Sequence, residues 1–237
     1  MRVAGSVHPT EPAVSSPLAA DAVLFDFDLT LADSSAGVTE CVNHALRGLG
    51  FSEVGVSDVK RTIGLSLAEC FRQLSGVSDA GVIAELRRLF VERADELMAA
   101  MTQVFPEVPE VLLAMRQRGI KTGIVSTRFR YRICEILERY SLIEAVDIIV
   151  GGEDVRAIKP DPSGLLMALA SLQVPAERAL YIGDHTVDAA AAQAAGVAFV
   201  GVLTGTTGRD ELMALGARLV LGSVGELLAT DSRLILP

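Results

Sequence analysis

The chain has 237 residues, half of them hydrophobic, and a formal net charge of -9 at pH 7. This length suffices for one large core, or for a core that carries an inserted domain. The acidic balance disfavours non-specific nucleic-acid binding, which needs a cationic surface, and it also disfavours an anionic membrane surface. We therefore expect neither nucleic acid nor a membrane among its partners.

The three cysteines, Cys41, Cys70 and Cys134, are far apart and odd in number, without the spacing of a metal site. They indicate a reducing, cytoplasmic setting in which the thiols serve as packing residues. No apolar run approaches the roughly 20 residues of a membrane span. Residues 1–20 are rich in Ala, Ser and Pro and lack the apolar segment of a secretion signal, so we expect a flexible N-terminal arm.

Short apolar runs bounded by polar residues or glycine recur through the chain, with helical periodicity between them. They predict strands over residues 22–27, 121–125, 146–150, 179–182, 197–203 and 218–221. Strands that alternate with helices are typical of an α/β fold with a doubly wound parallel sheet.

The stretch between Asp33 and Met101 differs from the rest, because its periodicity is helical and it contains no convincing strand. We therefore predict an all-helical domain over residues 35–102. It would be inserted into an α/β core formed by residues 21–34 and 103–237.

Polar residues gather where the predicted strands end. They are Asp26 and Asp28 after the first strand, Ser126 and Thr127 after the second, Lys159 in the loop before the fourth, and Asp184 and Asp188 after the fourth. Each has an ordinary alternative as a turn residue, a helix cap or a surface charge. Together they point to one site, because ligands bind at the carboxyl ends of the strands in an open α/β sheet.

The chemistry of these groups fits phosphoryl transfer. Carboxylate oxygens suit Mg²⁺, and a divalent cation together with Lys159 would compensate a phosphate group of about -1.5 to -2 charge. Ser126 precedes a predicted helix whose first N–H groups favour an anion. Asp26 is able to attack phosphorus as a carboxylate nucleophile, and Asp28 to protonate the leaving oxygen and then take a proton from water.

The same residues resemble the four motifs of the haloacid dehalogenase superfamily. The motifs are Asp26-Phe27-Asp28-Leu29-Thr30-Leu31, Ser126, Lys159-Pro160, and Gly183-Asp184 followed by Asp188. The resemblance runs from residue 22 to residue 229, and the helical insertion is similar to the subclass with an α-helical cap. Phosphoglycolate phosphatases, pyrophosphatases and β-phosphoglucomutases share this plan.

The resemblance implies a Mg²⁺-dependent phosphohydrolase acting on a small phosphorylated metabolite through an aspartyl-phosphate. It makes Asp26 the nucleophile and a metal ligand, Asp28 the acid/base with its carbonyl on the metal, Asp184 a metal ligand and Asp188 a support of the metal shell. Thr30, Ser126, Thr127 and Lys159 are the residues expected at the phosphate, with Thr30 also steadying the loop. An acid at position 28 disfavours dehalogenation, because the family's dehalogenases lack one there.

Leu29 departs from the family pattern, since many relatives have glycine at this position. A position that needs positive φ would strain a leucine. We therefore predict negative φ for Leu29, with its side chain filling space near the helical insertion.

The inserted helices are expected to select the substrate. Gly64-Leu65-Ser66 matches a loop that faces the site in phosphoglycolate-phosphatase-like members. Arg61 and Arg72 are candidates to bind a second anionic group, with surface arginines as the alternative. Arg128 and Arg130 are further candidates near phosphate, and His185 is either a minor contact of the site or an ordinary helix-start residue.

Other functions remain open from the sequence. A phosphorylated receiver-type switch shares the Asp, Mg²⁺ and Lys chemistry, but it has its acceptor on a middle strand and is shorter. A non-catalytic phosphate-binding protein is a third possibility. A phosphomutase or a pyrophosphatase would carry the same motifs, and the chain would act as a monomer or a homodimer.

Overall fold

The computed structural model describes residues 20–229. The strands are, in chain order, β1 (Ala22–Phe25), β2 (Ala32–Asp33), β3 (Gln103–Val104), β4 (Lys121–Val125), β5 (Ile148–Val150), β6 (Ala179–Gly183), β7 (Ala198–Val202) and β8 (Leu219–Leu221). The predicted arm lies outside the described residues except for Ala20, which is buried.

The helices alternate with the strands from β3 onward. They are α1 (Ser35–Gly48), α2 (Val56–Lys60), α3 (Leu67–Ser75), α4 (Ala80–Met101), α5 (Val108–Gln117), α6 (Arg130–Arg139), α7 (Ser163–Leu172), α8 (Thr186–Ala195), α9 (Arg209–Ala214) and α10 (Glu226–Ala229). Short 3₁₀ turns lie at Ile143–Ala145 and Ala176–Arg178.

Six strands form one parallel sheet in the order β5-β4-β1-β6-β7-β8. β1 lies in the middle, where the strand order reverses. Phe25 pairs with Ile124 of β4 on one side and with Ile182 of β6 on the other. The predicted α/β fold with a doubly wound parallel sheet is confirmed, and the ends of β1, β4 and β6 meet at one edge.

The sheet buries both of its faces. Along β1, Val23 and Phe25 face the core formed with α5 and α6, while Ala22 and Leu24 face the core formed with α7 and α8. This alternation is the period of two that a strand imposes on its side chains. With both faces covered by helices, functional groups are left to the ends of the strands.

The four helices α1–α4 follow one another without a strand and have their own apolar core. Phe71 and Phe90 meet edge to face in it, with ring centroids 6.2 Å apart. A short antiparallel ribbon joins the start and the end of this segment, with Ala32 opposite Val104. The ribbon is absent from the sequence-based prediction, because two residues are too few to show a strand period.

The cysteines are all unpaired thiols, with Cys41 and Cys70 buried and Cys134 half-buried. Within residues 20–229, each helix is too short or too polar to cross a membrane.

Candidate active site

Three buried carboxylates and one buried ammonium converge where β1 and β6 end. Asp26 directly follows β1, Asp184 directly follows β6, and Asp188 lies in the first turn of α8. Each of the three offers a carboxylate oxygen, and these oxygens lie within 4.8 Å of one another. We call these three aspartates the acidic cluster.

Lys159 is the cation of the acidic cluster. Its Nζ lies 2.8 Å from Asp26 Oδ1 and donates to Asp188 Oδ1 at 2.6 Å. It also donates to the hydroxyl of Tyr181 at 2.9 Å, and its side chain is 3% exposed. The Tyr181 hydroxyl in turn lies 2.9 Å from the carbonyl oxygen of Val125 in β4, so Tyr181 links the lysine to the sheet.

Asp188 has both carboxylate oxygens engaged by protein donors. Oδ1 accepts from Lys159, and Oδ2 accepts from the backbone N–H of His185 at 3.0 Å. Gly183 makes room for this carboxylate, because a Cβ there would lie 2.5 Å from Asp188 Cγ. Because protein donors already engage both of its oxygens, Asp188 is suited to hold Lys159 and the start of α8 in place.

Asp184 is positioned by two other loops. Thr30, fully buried, donates from Oγ1 to Asp184 Oδ1 at 3.0 Å. Gly205, in the loop after β7, approaches the other oxygen so closely that a Cβ would lie 1.9 Å from Asp184 Oδ2. In the structure, Thr30 therefore holds the acidic cluster rather than facing open space.

Burial and mutual repulsion raise the proton affinity of the acidic cluster. Burial raises the pKa of Asp26 to about 7 against the attraction of Lys159, with repulsion from Asp188 adding to the rise. The pKa of Asp184 lies well above its ordinary value, first because of burial and then because of Asp188 and Asp26. Burial lowers the pKa of Lys159, but the two carboxylates beside it outweigh that effect and the net shift is upward.

Asp28 lies apart from the acidic cluster and is paired with an arginine. Arg128 donates from Nη2 to Asp28 Oδ1 at 2.6 Å and from Nε to Oδ2 at 2.9 Å. Ser34 donates from its hydroxyl to Oδ1 at 2.5 Å. Both side chains of the ion pair are at most 10% exposed, so the structure holds Asp28 as a buried, ion-paired carboxylate.

The end of β4 supplies the expected polar loop. Ser126 is buried, and its Oγ accepts from the backbone N–H of Arg128 at 3.3 Å. Thr127 is half-buried, and α6 begins shortly afterwards at Arg130. Glycine at position 152 is required beside this loop, because a Cβ there would lie 2.5 Å from the carbonyl oxygen of Thr127.

The prediction of negative φ for Leu29 is wrong. Leu29 has φ of 59°, the left-handed conformation, and its side chain is 1% exposed. Its N–H donates to the carbonyl oxygen of Ala32 at 2.7 Å, and its own carbonyl accepts from the hydroxyl of Thr204. The tight turn between Asp28 and Ala32 fixes the backbone, so the leucine adopts a conformation that glycine would adopt without strain.

A cavity of about 570 Å³ lies between the inserted helices and the loops of the core. Asp28, Thr127 and Arg128 line it from the core, and Gly64 lines it from the loop between α2 and α3. Gly64 has φ of 100°, and a Cβ there would lie 3.3 Å from the ring of His185. The predicted Gly64 loop therefore does face the core beside Asp184.

The side chains of Arg61 and Arg72 lie outside the cavity. Arg61 pairs with Asp58 and Arg72 with Glu69, on the exposed surface of the inserted helices, and neither arginine lines the cavity. The alternative of surface arginines fits both positions better than a substrate contact.

The acidic cluster fits a divalent cation. Three buried carboxylates face one ammonium, whose Nζ lies 2.8 Å from Asp26 Oδ1, so the cluster keeps an excess of buried negative charge. Buried carboxylates in excess of the cations beside them are costly unless a further cation or a proton compensates their charge. The all-oxygen donor set suits Mg²⁺ better than a softer metal. Asp26 and Asp184 have more free capacity for such an ion than Asp188.

Several residues of the site were not identified from the sequence. Tyr181 and Gly205 belong to none of the predicted motifs, and the sequence predicts Arg128 near phosphate rather than beside Asp28. A tyrosine in an otherwise apolar buried strand does carry a signal, because its hydroxyl needs a partner. The contacts of Gly205 and Arg128 leave no such trace, since they join parts of the chain that are far apart in sequence.

The chain belongs to the haloacid dehalogenase-like hydrolase family, whose model matches residues 23–202. It is 32% identical over 215 residues to a phosphoglycolate phosphatase of Rhodospirillum rubrum, covering 87% of this chain and 88% of that protein. A plasmid-encoded phosphoglycolate phosphatase of Cupriavidus necator is 32% identical over 222 residues, covering 90% and 94%.

A solved structure shows the same fold. The crystal structure of a haloacid dehalogenase-like hydrolase from Bacteroides fragilis has a TM-score of 0.85 and 42% identity, covering 88% of this chain and 99% of that one. These matches confirm the predicted family and hydrolase class, and the names of the relatives support a phosphohydrolase.

Proposed function

We propose that this chain is a Mg²⁺-dependent phosphatase that hydrolyses a small phosphorylated metabolite through an aspartyl-phosphate on Asp26. One observation carries the proposal: the acidic cluster sets three buried carboxylates against the single ammonium of Lys159 at the end of the central strand. The relatives named phosphoglycolate phosphatase make phosphoglycolate the first compound to test. The free thiols support a cytoplasmic location.

The metal would be held by the carboxylates of Asp26 and Asp184 and by the backbone carbonyl of Asp28, with Asp188 supporting from behind. Bound there, Mg²⁺ would supply positive charge that neutralises the phosphoryl oxygens. Because burial raises the pKa values of Asp26 and Asp184, the two groups gain most from a cation that keeps them ionised.

Lys159 and the loop after β4 would orient the phosphate. The ammonium of Lys159 is fixed by Asp188 and Tyr181, so a phosphate oxygen would meet a preformed charge. The hydroxyl of Ser126 and the N–H groups that lead into α6 would bind further oxygens.

Asp26 would then attack phosphorus. A bond forms between its carboxylate oxygen and phosphorus while the bond from phosphorus to the leaving oxygen breaks, and Asp28 gives a proton to that oxygen. Asp28 would next take a proton from a water molecule that attacks the aspartyl-phosphate, which releases inorganic phosphate and restores Asp26.

The pairing of Asp28 with Arg128 bears on this scheme, since a guanidinium stabilises the ionised carboxylate and the first step needs the acid. Arg128 lies in the loop after β4, two residues beyond Ser126, so its guanidinium is able to exchange the carboxylate of Asp28 for a phosphate oxygen. We propose that an arriving phosphate draws Arg128 away from Asp28, which frees the carboxyl group of Asp28 to face the leaving oxygen.

The test is a phosphatase assay over phosphoglycolate, pyrophosphate, nucleotides and sugar phosphates, with Mg²⁺ and with excess chelator. We expect hydrolysis that chelator abolishes and that Mg²⁺ restores. Asp26→Asn should abolish turnover while Asp210→Asn, an exposed carboxylate of α9, should leave it unchanged. Full activity of Asp26→Asn, or full activity in chelator, would refute the mechanism.

A further inference from the structure

The cavity beside Asp28 carries information about the group that is cleaved from phosphate. Asp28, the proposed proton donor to the leaving oxygen, lies on the cavity wall together with Thr127 and Arg128. A phosphate ester bound at Asp26 would therefore project its leaving group into this space. At about 570 Å³ the cavity is in the range of pockets for drug-sized ligands, which is roughly 300–1,000 Å³. A two-carbon acid such as glycolate would fill only a small part of it.

Apolar side chains line the cavity on both sides, among polar ones that include Thr62 and Ser66. The inserted helices contribute Ile63, Leu65, Phe90 and Met98, and the core contributes Phe129 and Ile158. Of these, Ile63, Phe90 and Met98 are at most 6% exposed. A polar leaving group placed against these apolar side chains would lose its hydration, which costs free energy unless a hydroxyl of the lining such as that of Thr127 replaces it. An apolar group would gain from burial.

The buried cations of the cavity are already engaged. Arg128 is paired with Asp28, and Arg132 donates to Asp95 from both Nε and Nη2, at 3.0 and 2.6 Å. Arg88 is paired with Glu85 and Glu92 on the exposed side of α4.

Arg87 also lines the cavity and forms no ion pair within the described part of the chain, but it is exposed to solvent. A second anionic group on the substrate would thus find its buried counter-charges occupied. This differs from what a carboxylated substrate such as phosphoglycolate needs.

From these observations we infer that the preferred substrate is a phosphate monoester whose leaving group is an uncharged, largely apolar ring. The inference rests on the proposed phosphatase function and narrows its substrate class. The ring would lie between the loop at Leu65 and the first turn of α6, near Phe129. Arg128 remains committed to Asp28 or to phosphate, and it does not serve a second anion.

The test compares three esters with alkyl leaving groups of similar reactivity: benzyl phosphate, ethyl phosphate and phosphoglycolate. We expect kcat/KM for benzyl phosphate to exceed that for each of the others by at least about tenfold, since even one methylene in an apolar pocket is worth about that much. Binding is measured separately by calorimetry with the non-hydrolysable benzylphosphonate and phosphonoacetate. Benzylphosphonate should bind more tightly by a similar factor.

Variants that fill the cavity test whether the preference for benzyl phosphate arises there. Ala68→Phe adds a ring on the α3 side of the cavity and should lower kcat/KM for benzyl phosphate by at least about tenfold, with ethyl phosphate little changed. Ala100→Phe, on the exposed face of α4, adds the same volume outside the cavity and should change neither. If Ala68→Phe fails to fold by its thermal melting curve, Leu65→Trp fills the cavity from a loop instead.

The outcomes separate the two proposals. If neither these esters nor the wider panel of phosphorylated metabolites is hydrolysed, the proposed function fails, while the two phosphonates still report on the cavity. If phosphoglycolate is the best substrate, or phosphonoacetate binds at least as tightly as benzylphosphonate, the apolar-ring inference is overturned. An unchanged preference in the cavity-filling variant that folds would overturn it too.

Discussion

The guanidinium of Arg128 contacts both carboxylate oxygens of Asp28, although the two residues are a hundred positions apart in the chain. The pair joins the loop after β1 to the loop after β4, and both side chains are almost fully buried. It is separate from the acidic cluster, so the two aspartates that flank Phe27 have different electrostatic surroundings. Asp26 faces an ammonium and two carboxylates, whereas Asp28 faces an arginine and a hydroxyl.

Removing the arginine should destabilise the protein strongly. Arg128→Met leaves Asp28 buried without its partner, and breaking a buried ion pair from one side costs about 3–5 kcal/mol. The free energy of unfolding in urea measures this. The matched control is Arg178→Met, which breaks a forked but exposed pair with Asp21 and should cost less than about 1 kcal/mol. Equal losses in the two variants would contradict the assignment of Arg128–Asp28 as a buried pair.

Asp28→Asn should separate the two chemical steps. With p-nitrophenyl phosphate the leaving group needs no proton, so the variant should form the phosphorylated Asp26 and then stall for lack of a base. A rapid-mixing assay should show a burst of about one p-nitrophenolate per active site, followed by turnover about 10²–10⁴-fold below wild type. With an alkyl phosphate the burst should vanish, and unimpaired steady-state turnover would rule out a proton-transfer role for Asp28.

The acidic cluster should make stability depend on Mg²⁺. Ligand at about 100 times its dissociation constant stabilises a folded protein by about 2.7 kcal/mol, so Mg²⁺ should raise the thermal midpoint of the wild type. Asp184→Asn should lose this response. Without metal it should be at least as stable as the wild type, because it removes a buried carboxylate whose pKa is raised by burial. Asp210→Asn is the control and should keep the full Mg²⁺ response, and a full response in Asp184→Asn would exclude this residue as a ligand.

Gly205 should be as necessary for Mg²⁺ binding and activity as a charged residue of the site. A Cβ at this position would lie 1.9 Å from Asp184 Oδ2, so Gly205→Ala must displace that carboxylate. We expect weaker Mg²⁺ binding and a loss of activity. Gly208→Ala in the same loop is the control, because a Cβ there meets nothing within 4 Å and its φ of -75° suits alanine. Equal Mg²⁺ affinities in the two variants would mean that the site tolerates the displacement.

The left-handed conformation of Leu29 should make the glycine variant at this position more stable than the alanine variant, which is the reverse of the usual order of stability. Both Leu29→Ala and Leu29→Gly lose a buried side chain, at a cost of about 2–5 kcal/mol for the truncation to alanine. Glycine relieves the left-handed strain of about 1–2 kcal/mol, so Leu29→Gly should be the more stable of the two in urea. Leu112 is buried in α5, where alanine favours the helix more than glycine does, so Leu112→Ala should be more stable than Leu112→Gly. The same order at both positions would contradict a left-handed Leu29.

The sequence was sufficient for the sheet and for the meeting of the polar strand ends. A short, fully apolar run such as Val23–Phe25 favours a strand that is buried on both faces. Parallel strands then bring their carboxyl ends together at one edge of the sheet. The partner of Asp28 was out of reach, because no local pattern connects it to Arg128. The left-handed Leu29 was missed for a related reason: a hydrogen bond to Ala32 overrides the preference of a single residue.

The inserted helices also illustrate this limit. The helical periodicity of the sequence predicts their apolar faces, but the shape of the cavity depends on how those faces pack against the core. Arg61 and Arg72 were reasonable candidates by charge alone. Asp58 and Glu69 each precede their arginine by three residues, and this helical spacing is the local signal that favours the surface pairs found in the structure.

The ribbon of β2 and β3 bears on how such a chain could be assembled. Ala32 and Val104 are direct neighbours in it, so the chain leaves the α/β core and returns to it at almost the same point. Antiparallel strands can be closed by a turn of two residues. The core would therefore accept a short hairpin, or a different set of helices, in place of α1–α4 without any change in its sheet. A fold with this junction can exchange its inserted helices, and with them one wall of the cavity, while the ends of the sheet strands stay as they are.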